Sequence, residues 1–225
     1  MAKHLQRELE SLKKQILSVS AMAEESVRNA VRALEQRDER LAAAVIEGDL
    51  DIDQAEVDLE EECLKILALH QPVAIDLRFI VAALKINNDL ERIGDLAVNI
   101  AERAQYLAAH PKVDIPFDFE GMARKAQDMV KKSLDALVNM DPRLAREVCA
   151  ADDEVDAINR QMYLQVQEGI RRRPEDMEAL IHFLSASRHL ERIADHATNI
   201  AEDVIYMSDG EIVRHRAEQY RSPAQ

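Results

Sequence analysis

The sequence has no tryptophan, two cysteines, five glycines and six prolines in 225 residues, and only 4% of it is aromatic. Each shortage excludes something. No glycine-rich phosphate loop, Gly-x-Ser-x-Gly elbow or Cys-x-x-Cys pair is present. Cys63 and Cys149 lack metal-type spacing and sit beside aliphatic residues in helical patterns, which reads as buried thiols. No apolar run is longer than that of Phe79 to Leu84, which is far too short to span a membrane. The first residues, Met1-Ala2-Lys3-His4-Leu5, carry no apolar signal-peptide core, so a cytoplasmic protein is expected. Basic residues are also in deficit, 29 against 43 acidic ones, for a net charge of −14. That balance disfavours nucleic-acid backbones, anionic membrane surfaces and free phosphate as direct ligands. It favours polyvalent cations or basic protein surfaces.

What is abundant is Ala, Leu, Glu, Arg and Asp, a helix-forming mix with little for strands. The prolines punctuate long helical patterns rather than interrupting them. The spacing predicts helices over 3–37, 38–69, 73–109, 118–140, 142–172 and 174–208. Asp141-Pro142 forms an N-cap followed by proline at the first helical position. The segment 110–117, with Pro111 and Pro116, reads as a linker, and 209–225 as a polar tail.

The chain repeats itself. Leu90-Glu-Arg-Ile-Gly-Asp-Leu-Ala-Val-Asn-Ile-Ala-Glu102 stands against Leu190-Glu-Arg-Ile-Ala-Asp-His-Ala-Thr-Asn-Ile-Ala-Glu202. Upstream, Asp49 and Asp53 align with Asp152 and Asp156. The expected architecture is all-α: two repeated antiparallel three-helix bundles, 1–109 and 118–208.

Within the repeat, Glu91, Asp95, Asn99 and Glu102 fall within about 80° of arc on one helix face, away from Ile93, Ala97 and Ile100. Glu191, Asp195, Asn199 and Glu202 repeat that arc. An acidic face is ordinary on an amphipathic helix. Here, however, it recurs almost unchanged, although Glu and Asp four apart repel each other. Arg92 and Arg192 offset that repulsion from the flank, and a bound cation would do so better. Carboxylates with an amide oxygen make a hard ligand set, suited to Mg²⁺, Ca²⁺, Mn²⁺ or an iron–oxo species. The pairs Asp49/Asp53 and Asp152/Asp156 lie at the flanks of their helices' apolar stripes and are expected to approach the same site. His182, His189 and His196, spaced by seven, face about 140–180° away from Glu191. They are expected at the core edge or an interface. Gly94 in mid-helix is expected to permit a close approach. The basic run Arg171 to Arg173 reads as helix capping, with a small docking patch as the other reading.

These residues carry a resemblance. The doubled Leu-Glu-Arg-Ile-(Gly/Ala)-Asp segments with Asn99-Ile100 and Asn199-Ile200 are similar to the PhoU family of bacterial phosphate-specific transport system accessory proteins. So are Glu47-Gly-Asp49, Gln71-Pro-Val-Ala-Ile-Asp-Leu-Arg78 and Gly210-Glu-Ile-Val-Arg-His215. The resemblance implies that the (Glu/Asp)-x-x-x-Asp pairs Glu91/Asp95, Glu191/Asp195, Asp49/Asp53 and Asp152/Asp156 hold surface metal clusters. The metal would be iron, zinc, manganese, magnesium or calcium. It also implies a homodimeric regulator, not an enzyme. Such a regulator damps phosphate uptake and the starvation response through the ATPase subunit of a phosphate ABC transporter and a sensor histidine kinase. The rival reading is a metal-binding carboxylate bundle with a storage or enzymatic role.

Overall fold

A computed structural model describes residues 2–114 and 117–210. Six long helices and one short 3-10 turn make up the fold, with no strand among the described residues. They are α1 (Ala2–Gln36), α2 (Glu39–His70), α3 (Ala74–Ala108), α4 (Phe119–Asn139), α5 (Pro142–Arg172) and α6 (Met177–Asp209). The 3-10 turn Pro174–Asp176 precedes α6, which therefore starts later than its proline suggests. Of the expected polar tail, only Asp209 and Gly210 fall among the described residues.

The helix starts are written into the chain. Asp38 accepts hydrogen bonds from the backbone N–H groups of Arg40 and Leu41, both at 3.0 Å. Asp141 does the same for Arg143 and Leu144, ahead of Pro142. Each cap satisfies donors that the helix cannot use internally. The α2 helix ends at Gln71, in the left-handed region, just before Pro72.

Each repeat packs as three helices: α1 on α2 and α3, α4 on α5 and α6. The inner stripes of α1 and α3 include Leu12, Ile16, Val19, Ile86, Leu90, Ile93 and Ile100, all buried. A polar link recurs between the second and third helix of each repeat. The buried Asn87 Nδ2 donates to the Glu56 carbonyl at 2.8 Å, and Ser187 Oγ lies 3.3 Å from Asn159 Oδ1. Asn87 Nδ2 and Ser187 Oγ are satisfied in this way, while Asn87 Oδ1 makes no hydrogen bond.

The repeats meet through α3 and α6, with α1 touching α4, and one continuous apolar cluster runs through both. The crossing pairs give the direction. Lys85 Nζ lies 3.2 Å from Asp203 Oδ1, and Asn199 Nδ2 donates to Asp89 Oδ1 at 3.1 Å. Tyr106 stacks on His182 with ring centroids 3.7 Å apart. Numbers rise on α3 as they fall on α6, so the two helices run antiparallel. The crossing is centred on Gly94 and Ala194, equivalent positions, so an approximate two-fold turn relates the halves.

Gly94 serves the packing inside the first repeat. A Cβ placed on it would lie 3.1 Å from Asp49 Oδ1 and 3.2 Å from Ile52 Cδ1. The small residue lets α2 close on α3 at Asp49. Gly94→Val should therefore cost about 1–3 kcal/mol, as overpacked sites do. Urea denaturation would show it as a lower midpoint, and an unchanged midpoint would contradict the close approach.

Candidate functional site

The acidic stripe of α3 does not stand bare in solvent. It lies along the seam where α2 packs on α3, facing the acidic pair of α2. Burial raises the Asp49 carboxyl to about 6, aided by repulsion from Asp53 and Asp95. Burial also raises Glu91, with Asp95 and then Asp53 and Glu56 pushing the same way. Burial and nearby like charges both act this way, and the Asp95 effect on Asp49 and the Asp53 and Glu56 effects on Glu91 cross from one helix to the other. Asp49, Asp53, Glu91 and Asp95 thus line one seam, near enough to repel one another. Glu56 joins them, unnoticed in the sequence although it lies seven residues after Asp49 and on the same face.

One cation answers this charge locally. Arg92 Nη1 lies 3.0 Å from Asp95 Oδ2, and its Nε is 3.3 Å from Glu91 Oε2. That buried Glu91 oxygen nevertheless makes no hydrogen bond. Asn99 donates from Nδ2 to the Asp95 carbonyl at 2.7 Å, folding its amide back onto its own helix.

The second repeat builds the same seam between α5 and α6. Asp152 is raised to about 6 by burial, then by Asp195 and Asp156. Asp195 is raised to about 6 by burial, then by Glu191 and Asp156. Glu191 is raised as well, first by burial and then by Asp156 and Asp152, against Arg188 and Arg192. Asp156 pairs with Arg160 at 3.2 Å. Asn199 departs from its counterpart: its amide turns toward Asp89 of α3, not into the acidic seam.

The histidines lie where the angular argument put them, on the side of α6 that meets α3. His196 Nδ1 sits 2.7 Å from Asp89 Oδ1. His182 is held against Tyr106, and its pKa is lowered by burial and by Arg103. Burial lowers His189 to about 4, aided by Arg103, Arg192 and Arg188, so it is neutral at physiological pH. None of the three faces the acidic seam. Both cysteines are free, and burial pushes their thiols up to about 12, which keeps them protonated. The basic run is occupied at home, Arg171 and Arg172 with Glu168, and Arg173 with Asp176 and Asp114.

Each seam is therefore a set of oxygen donors whose own repulsion disfavours ionisation. The donor chemistry fits a hard cation. No three His, Cys, Asp or Glu side chains among the described residues are gathered into a set that could hold a metal ion.

Comparison with known proteins places the chain in a family. The family model described as PhoU domain matches residues 16–104 and again 119–204. The chain belongs to the PhoU family. A PhoU homolog of Aquifex aeolicus is 40% identical over 210 residues, covering 93% of this chain and 95% of that protein. One from Pseudomonas aeruginosa is 38% identical over 209 residues, covering 92% and 86%. Both are named phosphate-specific transport system accessory protein PhoU homolog. The crystal structure of PhoU from Pseudomonas aeruginosa superposes with a TM-score of 0.88 at 37% identity, covering 92% of this chain and 99% of that one. The phosphate transport system regulatory protein PhoU from Streptococcus pneumoniae gives 0.82 at 27% identity, covering 93% and 99%. Among PhoU relatives, then, the two-repeat helical fold is common property, and the two matched stretches each include one acidic α3 or α6 stripe.

The raised carboxylates set a pH dependence. An acid whose folded pKa lies above its unfolded value of about 3.9 weakens the fold once it ionises. Asp152 contributes no such cost below about pH 4. The cost grows as pH rises toward 6 and is complete above it. Asp152→Asn should therefore raise Tm at pH 7.5 and leave it nearly unchanged at pH 4. Calorimetry at both pH values checks this; equal shifts at both would contradict it.

Proposed function

We propose that this chain is a cytoplasmic, non-catalytic regulator that restrains phosphate uptake and the phosphate-starvation response. It acts by docking on the ATPase subunit of a phosphate ABC transporter and on a sensor histidine kinase, as a homodimer. The observation that carries the reading is the 40% identity, over 93% of the chain, to a phosphate-specific transport system accessory protein. The surface supports it: a net charge of −14 favours encounter with basic protein faces. None of the described helices is long and apolar enough to cross a membrane, so contact with membrane proteins would run through their cytoplasmic parts.

Deleting the gene and restoring it as wild type or as Glu91→Ala/Asp95→Ala tests the reading. Cells grown in ample phosphate without the protein should show raised phosphate uptake and induced starvation genes. The wild-type copy should reverse both. Normal uptake and silent starvation genes in the deletion strain would defeat the proposal.

The two seams are proposed as cation sites of this regulator. Asp49, Asp53, Glu91 and Asp95 would hold the ion in the first repeat, and Asp152, Asp156, Glu191 and Asp195 in the second. Asn99 and Asn199 would join only if their amides turned toward the seams. The bound cation, iron, zinc, manganese, magnesium or calcium, would supply charge compensation. Its chemistry follows from the oxygen donors and from the repulsion that raises Asp49, Asp152 and Asp195 to about 6. A ligand that binds only the folded state stabilises it by about 2.7 kcal/mol at a hundred times its Kd. Adding each metal in turn to metal-free protein should raise Tm, and Asp49→Asn/Asp95→Asn/Asp152→Asn/Asp195→Asn should remove that rise. Absence of any rise with every metal would rule out the cation sites while leaving the regulatory proposal in place.

A further inference from the structure

The inner face of α2 is explained by the core and the seam; its outer face is not. Leu50, Val57 and Leu64 are spaced by seven and therefore lie on one line along α2. They are 73%, 45% and 53% exposed. Ile52, Leu59 and Ile66, fully buried, lie on the opposite side of the same helix. An amphipathic helix has one apolar stripe. This one has two, and only one of them faces the core. The α2 helix packs on α1 and α3, and neither covers the outer stripe.

The stripe runs between carboxylates. On one side it is flanked by Asp53 and Glu60, and on the other by Glu47 and Asp58. All of α2 carries ten acidic and two basic residues, a balance of −8. Its counterpart α5 carries six acidic and five basic residues, a balance of −1. The positions equivalent to Leu50, Val57 and Leu64, 103 residues on, are Asp153, Arg160 and Gln167. The acidic stripes and the buried helix faces are repeated; this apolar line is not. A feature absent from the sister repeat is not required by the three-helix packing.

We propose that the outer face of α2 is a docking surface for an amphipathic helix of a partner protein, with an apolar stripe bordered by lysine and arginine. Leu50, Val57 and Leu64 would take the apolar stripe in helix-to-helix fashion, and the flanking carboxylates would select the basic border and its direction. The inference rests on the regulatory reading for the identity of its partner, and on α2 alone for its surface.

The test uses the full chain and two synthetic peptides of identical composition. One has leucines in heptad spacing with lysines beside them, and the other has the same residues scrambled. Wild type should bind the patterned peptide about tenfold or more tighter than the scrambled one, since a few central apolar anchors dominate such contacts. Leu50→Gln/Val57→Gln/Leu64→Gln changes only exposed positions, and circular dichroism and Tm would confirm the fold. It should abolish the discrimination but keep the weak charge-driven binding shared by both peptides. A variant that still discriminates overturns the proposal. So does a variant that falls from dimer to monomer in sedimentation while its peptide preference persists, since the face would then belong to a second copy. In cells, a photo-crosslinking residue at position 57 should attach to a basic amphipathic helix of the transporter ATPase or the kinase. Crosslinks to this chain alone would also overturn it. If the deletion strain represses normally, the regulatory reading fails while peptide discrimination stands. If the triple variant loses discrimination yet represses like wild type, this inference alone fails.

Discussion

Antiparallel contact between α3 and α6 is the constraint from which the rest follows. Two charged groups are carried into that contact, Asp89 at 9% exposure and Asp203 at 1%. A carboxylate removed from water is costly unless it is paired and hydrogen-bonded. Lys85 answers Asp203, and His196 with Asn199 answers Asp89. Sliding one helix along the other by a turn would strand both carboxylates. The register of the repeats is thus set by polar pairs, while the aliphatic cluster around them supplies most of the burial.

That register decides what each face of α6 has left to offer. His182 and His196 are engaged by Tyr106 and Asp89, and His189 is buried near Arg103. The face of α6 toward α5, like that of α3 toward α2, is left with carboxylates. Packing then removes part of their hydration, and their mutual repulsion has no full answer within the chain. Arg92 reaches both Glu91 and Asp95, but it is one charge against five, and Glu91 retains a buried oxygen without a hydrogen bond. An incoming cation would relieve this repulsion, and the relief would be coupled to the closeness of α2 and α3 at Gly94. Occupancy of the proposed cation site would thus be coupled to helix packing, which a solvated acidic face would not show.

Much of this was legible because local rules and the fold agree. The caps at Asp38 and Asp141, the prolines and the apolar periods place the helices to within a few residues. The repeat places the acidic stripes, and the angular argument separates the histidines from them. What a single helix cannot disclose is its neighbour. The stripe of α3 points away from its own apolar residues, yet α2 leans over it, so Glu91 is partly buried rather than fully solvated. Asn199 reads like Asn99, but the nearest acceptor, Asp89, belongs to the other repeat. The turn at Pro174 delays α6 because Arg173 leaves the helical region before it. The outer line of α2 was visible as a heptad from the start, hidden by the expectation that each helix has one apolar face.

The two-fold relation between the halves sharpens the meaning of their differences. Under that relation the partner of the Asp89–His196 contact is His189 against Leu96, because position 89 pairs with 189 and 96 with 196. One site is thus an acid–imidazole pair; at its mate the neutral His189 is buried near Arg103, Arg188 and Arg192, with Ser185 Oγ 3.4 Å from its Nε2. A duplicated chain with identical halves would put Asp against Leu or His against His at both sites. The actual exchange gives Asp89 the partners that its burial demands. Divergence at the interface therefore repairs the fold. Divergence on α2 repairs nothing, since Leu50, Val57 and Leu64 lie in water and cost solubility. Packing within the chain does not account for them, and the proposed contact with a partner helix would.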